Sequence, residues 1–227
     1  MPLKSNALIG RLVEDDLIFV RSSSTEVDMP ARCILQEAGR PVEHVYFPSA
    51  GSVSFLVTSK AGAVVEAGFV GADGAIGSLH QLGSRLHFTR AIVVVPGRAL
   101  RLPVLRFETL LRNSWSFNRM IVSNNTLIAE RSQQIAACNL VHRLELRLCR
   151  WLLQTIGGGS SRRVEITQEA LSHFLGVNRA RLNEALKTLE IAGAVAASTR
   201  GTIQILSHEA MQRMACECAG HLSLVPT

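Results

Sequence analysis

The sequence predicts an α+β protein in three parts, and three observations support that fold class. Residues 25–102 contain short β-rich runs separated by glycine and proline, as in an all-β sandwich or barrel. Residues 105–137 contain no proline or glycine, and their apolar side chains recur at helical spacing. Residues 164–206 carry strand, helix, turn, helix and hairpin signals in that order. The expected domain boundaries are 1–112, 113–142 and 143–227.

The composition supports packed cores and argues against disorder. Of the 227 residues, 47% are hydrophobic and 19% are charged, whereas disordered chains combine low hydrophobicity with high charge. No run approaches the roughly 18 consecutive apolar residues that a membrane span needs. Residues 1–16 also lack the apolar core of a secretory signal. We therefore expect a cytoplasmic protein without a membrane partner.

In the β-rich part, turn signals separate four candidate strands. The strand candidates are residues 45–48, 52–57, 63–69 and 91–95. The predicted turns, each containing glycine, are residues 39–41, 49–51, 60–62 and 96–98. A short helix over residues 7–12 is expected to precede the first strand.

The long helix is predicted from about residue 114 to residue 137, which gives a length of roughly 35 Å. We expect its apolar stripe to pair with the same helix of a second subunit. The predicted dimer-interface residues are Met120, Leu127, Ile128, Arg131, Ile135 and Cys138. Because Asn124 and Gln134 interrupt the heptads, a helix packed only on its own barrel stays open as an alternative. A hinge at 138–142 and a helix at 143–155 follow.

Residues 164–206 predict a winged helix-turn-helix. Thr167 and Asn178 are good helix N-caps, and Gly176 supplies the left-handed residue between the two helices. In a helix-turn-helix the second helix enters the DNA major groove. The segment from 143 to 200 holds nine basic and five acidic residues, and the whole chain has a net charge of +6. So small an excess supports a polyanionic partner without proving one.

The second helix and its neighbours supply the candidate DNA-binding residues. Arginine pairs with guanine, asparagine with adenine, and glutamate accepts from cytosine. The candidates near base edges are Arg179, Arg181, Asn183, Glu184 and Lys187, and Asn178, which caps the helix, is a further candidate for DNA binding. The candidates for phosphate contacts, which fix register without reading sequence, are Arg163, Thr167, Gln168 and Arg200. The alternative is an amphipathic helix pair with a solvated charged face.

The five cysteines predict neither a disulfide framework nor a metal site. They are Cys33, Cys138, Cys149, Cys216 and Cys218, an odd number in a chain expected to be cytosolic. No Cys-x-x-Cys pair is present, and Cys216-Glu217-Cys218 is too tightly spaced for a zinc knuckle without ligands from elsewhere. We expect buried or incidental thiols and no cofactor. A redox or metal role for Cys216 and Cys218 stays open.

These motifs resemble those of the Crp/Fnr family of bacterial transcription regulators. The winged-helix match comprises residues 166–171, 175–179, 186–190, 193 and 200–203. Residues 25–102 resemble the family's cyclic-nucleotide-binding-like β-roll, and the long helix resembles its dimerisation helix. The resemblance implies an N-terminal β-roll or jelly roll, a dimerisation helix and a C-terminal winged helix-turn-helix. It also implies a homodimer with double-stranded DNA and RNA polymerase as partners.

The sequence departs from the family pattern in both functional regions. The usual Arg-Glu-x-x-x-Arg of the recognition helix keeps Arg179 but has Ala180 and Glu184 at the other positions, so the usual half-site is not expected. The possible effector-binding residues are Gly71, Asp73, Gly74, Gly77, Thr89 and Arg90. Asp73 at most replaces the family's ribose-binding glutamate, so we expect a degenerate pocket that takes no cyclic nucleotide. The iron-sulfur members use a cysteine cluster, whereas Cys33 stands alone.

The sequence thus predicts a dimeric, sequence-specific transcription regulator that is not an enzyme and whose effector is unassigned. Its recognition helices, about 34 Å apart, would read a pseudo-palindrome. A cupin-like enzyme is disfavoured because no two of the seven histidines lie two residues apart. A small-molecule sensor that acts through protein partners stays open as the other alternative.

Overall fold

The computed structural model of the chain describes residues 5–79, 86–157, 162–198 and 201–221. It has the mixed α and β architecture that the sequence predicts. The chain separates into two units. The first comprises residues 1–55 and 69–130, and the second comprises residues 56–68 and 131–227. Among the described helices, none is both long enough and apolar enough to cross a membrane.

The first unit is built on an antiparallel sheet. Its strands run in the order β1 (Thr25–Met29), β5 (Arg90–Pro103), β3 (His44–Thr58) and β4 (Val64–Val70), and β2 (Ile34–Gln36) also pairs with β5. The tip of the β3–β4 hairpin, residues 56–68, belongs to the second unit. The β1–β5 ladder is regular from Thr25 opposite Arg101 to Met29 opposite Gly97.

Two of the predicted turns are wrong, because their glycines lie inside strands. Residues 49–51 belong to β3, and residues 96–98 belong to β5. A Cβ at Gly51 would lie 2.5 Å from the Val95 carbonyl oxygen, and one at Gly97 would lie 2.1 Å from the Ala50 carbonyl oxygen. These glycines therefore permit two long strands to approach closely. The predicted turn at 60–62 is confirmed by the 2.9 Å bond from the Gly62 amide to the Ser59 carbonyl.

Helices cover one core of the first unit. They are α1 (Glu14–Ser23), α2 (Val104–Asn113) and the beginning of α3 (Trp115–Val141). Phe107 and Phe117 meet edge to face in this core, with ring centroids 5.6 Å apart. The helix predicted at 7–12 is only a short 3-10 turn, Ile9–Arg11, and α1 was not predicted. Three acidic residues in the first turn of α1 are the helix signal that was available.

The long helix α3 packs its predicted apolar stripe against its own chain. Ile128 belongs to the core formed with Val53 and Phe55. The buried Asn124 amide donates to Ser78 Oγ at 3.0 Å, and the Asn125 amide donates to the Ser78 carbonyl at 3.2 Å. Among the six predicted dimer residues, two are half-buried, Met120 and Leu127. The other four are buried without a second copy, namely Ile128, Arg131, Ile135 and Cys138.

The second unit combines helices with a small sheet. After α3 come α4 (Leu144–Ile156), α5 (Gln168–Phe174) and α6 (Arg179–Ile191), and the chain ends with α7 (His208–Met214) and α8 (Cys218–His221). The antiparallel sheet has the order β6 (Arg163–Val164), β8 (Thr202–Ile205) and β7 (Val195–Ser198). Helix α4 packs against α6, α7 and α8. The last two helices were not predicted.

Candidate nucleic-acid interface

The α5–turn–α6 segment forms as the local sequence signals predict. Thr167 caps α5, its Oγ1 accepting from the Ala170 amide at 3.1 Å. Asn178 caps α6, its Oδ1 accepting from the Arg181 amide at 2.9 Å. Gly176 between the helices has a φ of +66°, a conformation that favours glycine. The two caps and the left-handed glycine are therefore confirmed.

Helix α4 holds the turn between α5 and α6 in place. The buried Arg147 donates from Nη2 to the Leu175 carbonyl at 2.5 Å, which satisfies a backbone acceptor at the end of α5. The Trp151 and Phe174 rings pack edge to face with centroids 6.2 Å apart. Sequence reasoning missed Arg147, although a signal existed, because this arginine lies at helical spacing within the apolar face of Leu144, Leu148 and Trp151.

Helix α6 has one apolar buried face and one polar exposed face. The buried side chains are Leu182, Ala185, Leu186 and Leu189. The predicted base-reading residues on the other face are all exposed, namely Arg179, Arg181, Asn183, Glu184 and Lys187. Arg179, Asn183 and Lys187 recur every four residues and so follow one side of the helix. Within the described residues, no acidic side chain forms an ion pair with Arg179, Arg181 or Lys187.

The small sheet lies beside the beginning of α5. A Cβ at Gly201 would lie 3.4 Å from Thr167 Cγ2, so the end of the β7–β8 hairpin approaches the cap of α5. Of the candidate phosphate-binding residues, Arg163 and Thr167 are exposed and Gln168 is half-buried. Arg200, predicted at the tip of the wing, lies outside the described residues. The β7–β8 pairing itself confirms the predicted hairpin.

Two of the six predicted effector residues line a cavity of the first unit. Gly77 and Thr89 line a cavity of about 70 Å³ whose other walls are largely apolar, whereas the remaining four candidates lie outside the lining. Arg90 instead donates from Nε to Glu37 Oε1 at 2.8 Å, and this bond is the main reason that the pKa of Glu37 is lowered. Asp73 accepts from the Gly71 amide at 3.3 Å. Gly74 packs against the Asn124 side chain.

A capped helix pair with a glycine turn, an exposed polar second helix and a following β-hairpin define a winged helix-turn-helix. Residues 146–214 match the family model described as the Crp-like helix-turn-helix domain. The chain therefore carries a Crp-like helix-turn-helix domain over these residues. Among curated proteins, no sequence matches the chain.

Solved structures share the fold over most of the chain. A protein from Eubacterium rectale, described as a transcriptional regulator of the Crp/Fnr family, has a TM-score of 0.73 at 13% identity, covering 92% of this chain and 98% of its own. CLP of Xanthomonas campestris, a c-di-GMP-responsive global regulator, has a TM-score of 0.68 at 15% identity, covering 86% and 100%. FixK2 of Bradyrhizobium japonicum has a TM-score of 0.68 at 13% identity, covering 85% and 98%. The chain therefore shares its fold with these three solved structures.

Proposed function

We propose that this protein binds double-stranded DNA as a homodimer, at a pseudo-palindromic site, to regulate transcription. One observation carries the proposal. Helix α6 exposes two arginines, a lysine and an asparagine on one face and buries four apolar side chains on the other. A helix held in this way can enter a major groove without losing its packing. Residues 1–112 would then be the sensor domain, 113–142 the dimerisation segment and 143–227 the DNA-binding domain.

The recognition residues have separable roles. Arg179 and Asn183 lie on the same side near the beginning of α6, where base edges are reached, and Arg181, Glu184 and Lys187 flank them. The Asn178 side chain is exposed, and its Oδ1 already accepts the capping hydrogen bond from the Arg181 amide. Arg163, Thr167, Gln168 and Arg200 would contact phosphates and fix the register. The half-site should differ from the usual one of the family, because Ala180 and Glu184 replace its second and third recognition residues.

The dimer would use the exposed side of α3 rather than the stripe expected from the sequence. Trp115, Val122 and Ala129 are exposed and spaced seven residues apart, and Ala136 continues the repeat in the sequence. Trp115 is 74% and Val122 47% exposed, and both are large apolar side chains. A second copy of the same helix would cover this seam, with the alanines permitting close approach. Two-fold pairing would then present two α6 helices to one duplex.

The cavity of the first unit is expected to bind no cyclic nucleotide. Its volume of about 70 Å³ is well below the roughly 300–1,000 Å³ of typical ligand pockets. The described lining contains no lysine or arginine for a phosphate, and Arg90 is paired with Glu37 instead. A cytoplasmic location and a contact with RNA polymerase are expected from the resemblance to the family.

DNA retention at varied salt tests this function. The protein should bind duplex DNA as a dimer, and the logarithm of the affinity should fall linearly with the logarithm of salt concentration. Arg179→Ala and Lys187→Ala should each weaken binding while leaving the circular dichroism spectrum unchanged. Failure to retain any duplex at low salt would contradict DNA binding and favour a sensor that acts through protein partners.

A further inference from the structure

Three cysteines and one histidine converge where the end of α3 meets the beginning of α8. Cys138 lies in the last turn of α3 and His142 directly follows this helix, whereas Cys216 and Cys218 flank Glu217 near the end of the chain. One ligand atom from each of the four, three Sγ and one imidazole nitrogen, lies within 4.8 Å of the others. All four residues belong to the second unit.

Two of the separations are close to those of a tetrahedral metal site. The Cys138 and Cys216 Sγ atoms are 3.6 Å apart, and Cys218 Sγ is 3.7 Å from His142 Nδ1. With Zn–S bonds of about 2.3 Å and Zn–N bonds of about 2.0 Å, a tetrahedron requires ligand separations of about 3.8 Å and 3.5 Å. The sulfur atoms are too far apart for a disulfide. Three thiolates and an imidazole are a typical structural zinc set.

The surrounding residues orient these ligands. His142 Nε2 lies 3.0 Å from Glu217 Oε1, which leaves Nδ1 directed at the thiols. A carboxylate on the outer nitrogen is the arrangement that fixes metal-binding histidines. The Gln134 amide donates to Cys218 Sγ at 3.1 Å. An N–H group that donates a hydrogen bond to sulfur stabilises the negative charge of a thiolate.

Burial also suits a closed site. The three cysteines are at most 4% exposed, whereas the His142 side chain is 15% and the Glu217 side chain 78% exposed. The histidine side therefore gives access from solvent.

We propose that Cys138, His142, Cys216 and Cys218 form a structural Zn²⁺ site. The ion would bind four protein ligands and fasten the segment that carries Cys216 and Cys218 to the end of α3. A bound dication deprotonates coordinating thiols, so all three sulfurs would ligate as thiolates. The sequence alone disfavoured zinc because the Cys-x-Cys pair needs ligands from elsewhere. Cys138 and His142 supply them, and Cys138 lies 78 residues before Cys216.

Metal analysis of the full-length reduced protein tests the proposal. We expect one zinc per chain, loss of the metal to a strong chelator, and recovery of one equivalent on adding Zn²⁺. Co²⁺ in place of zinc should give visible tetrahedral d–d bands and sulfur-to-cobalt charge-transfer bands whose intensity indicates three thiolates. Cys216→Ser should lower Zn²⁺ affinity at least 100-fold. Glu217→Gln should lower it by roughly 10- to 100-fold.

Matched controls separate ligand loss from misfolding. Cys149→Ser changes a buried thiol of α4 outside the cluster, and Cys33→Ser changes the partly exposed thiol of the first unit. Both should keep one zinc. If Cys216→Ser does not fold, His142→Gln, at the more exposed ligand, makes the same test, with the circular dichroism spectrum as the folding control.

Three results would overturn the proposal. The first is reduced, folded protein that takes up no Zn²⁺ at micromolar concentration. The second is that Cys138 and Cys216 react only by forming a disulfide with each other and do not bind metal. The third is a coloured chromophore with stoichiometric iron and sulfide. None of these readouts uses DNA, so failure of the zinc site and failure of the proposed function are distinguishable.

Discussion

Helices α3 and α6 are built in opposite ways. Helix α6 buries only apolar side chains on its inner face and exposes charged and amide groups. Helix α3 buries Asn124 and Asn125 on its inner face and exposes Trp115 and Val122. An exposed charged face suits a polyanion, whereas an exposed apolar seam suits another protein surface. Under the proposed function the two helices have different partners, DNA for α6 and a second copy for α3.

The largest effect is expected from a charge in the α3 seam. Val122→Glu would place two carboxylates in the dimer interface, which costs several kcal/mol. We expect monomers by sedimentation velocity and a roughly 1,000-fold loss of affinity for the specific duplex. Ile18→Glu on α1, a substitution at a residue with a similar exposed fraction of 56%, is the control and should remain dimeric. If the Val122→Glu variant stays dimeric and keeps its affinity for DNA, the exposed apolar face of α3 is not the dimer interface.

On α6 the buried face should determine stability. Leu182→Ala removes a fully buried side chain, and we expect the free energy of unfolding to fall by about 3 kcal/mol in urea titrations. Thr188→Ala on the exposed face should change it by less than about 0.5 kcal/mol. Equal losses for the two variants would mean that the two faces of α6 are not distinct.

The exposed face of α6 should determine specificity. Arg179→Ala is expected to cost about 1–3 kcal/mol on the specific site and to relax the preference at one base pair. Arg200→Ala should weaken binding to all sequences alike and reduce the salt slope by about 1. Titrations against specific and random duplexes measure both effects. If each variant loses the same affinity for the specific duplex as for the random duplex, Arg179 and Arg200 do not have these different roles.

The smallest effect is expected at the cavity of the first unit. Adding cyclic AMP or cyclic GMP should change the affinity for DNA by less than about twofold, because the cavity is small and Arg90 is paired with Glu37. Fluorescence anisotropy with labelled duplex measures this directly. A tenfold change in the affinity for DNA would show that the cavity opens to bind a nucleotide.

The sequence predicted the helix-turn-helix well because its signals are local. Thr167, Gly176 and Asn178 act within three residues of their own positions. The turns at Gly51 and Gly97 were wrong because a glycine that permits close strand approach looks, in sequence, like a turn glycine. That distinction depends on which strands pair, and pairing is a long-range property.

What the sequence could not predict about α3 and the cysteines also depends on contacts between residues far apart in the chain. Periodicity identified a stripe containing Ile128 and Ile135, but it does not say whether the same chain or a second copy covers the stripe. Cys138 and Cys216 were both noted, yet only the folded chain brings them to 3.6 Å. A metal site assembled from two distant segments has no spacing motif to find.

Selection of bound duplexes from a random pool tests the central claim most directly, since it examines DNA binding, symmetry and spacing together. Two α6 helices presented by a symmetric dimer should enrich inverted repeats whose half-sites are centred about 10 base pairs apart. An asymmetric single half-site, or a pool that shows no enrichment, would contradict the paired recognition helices.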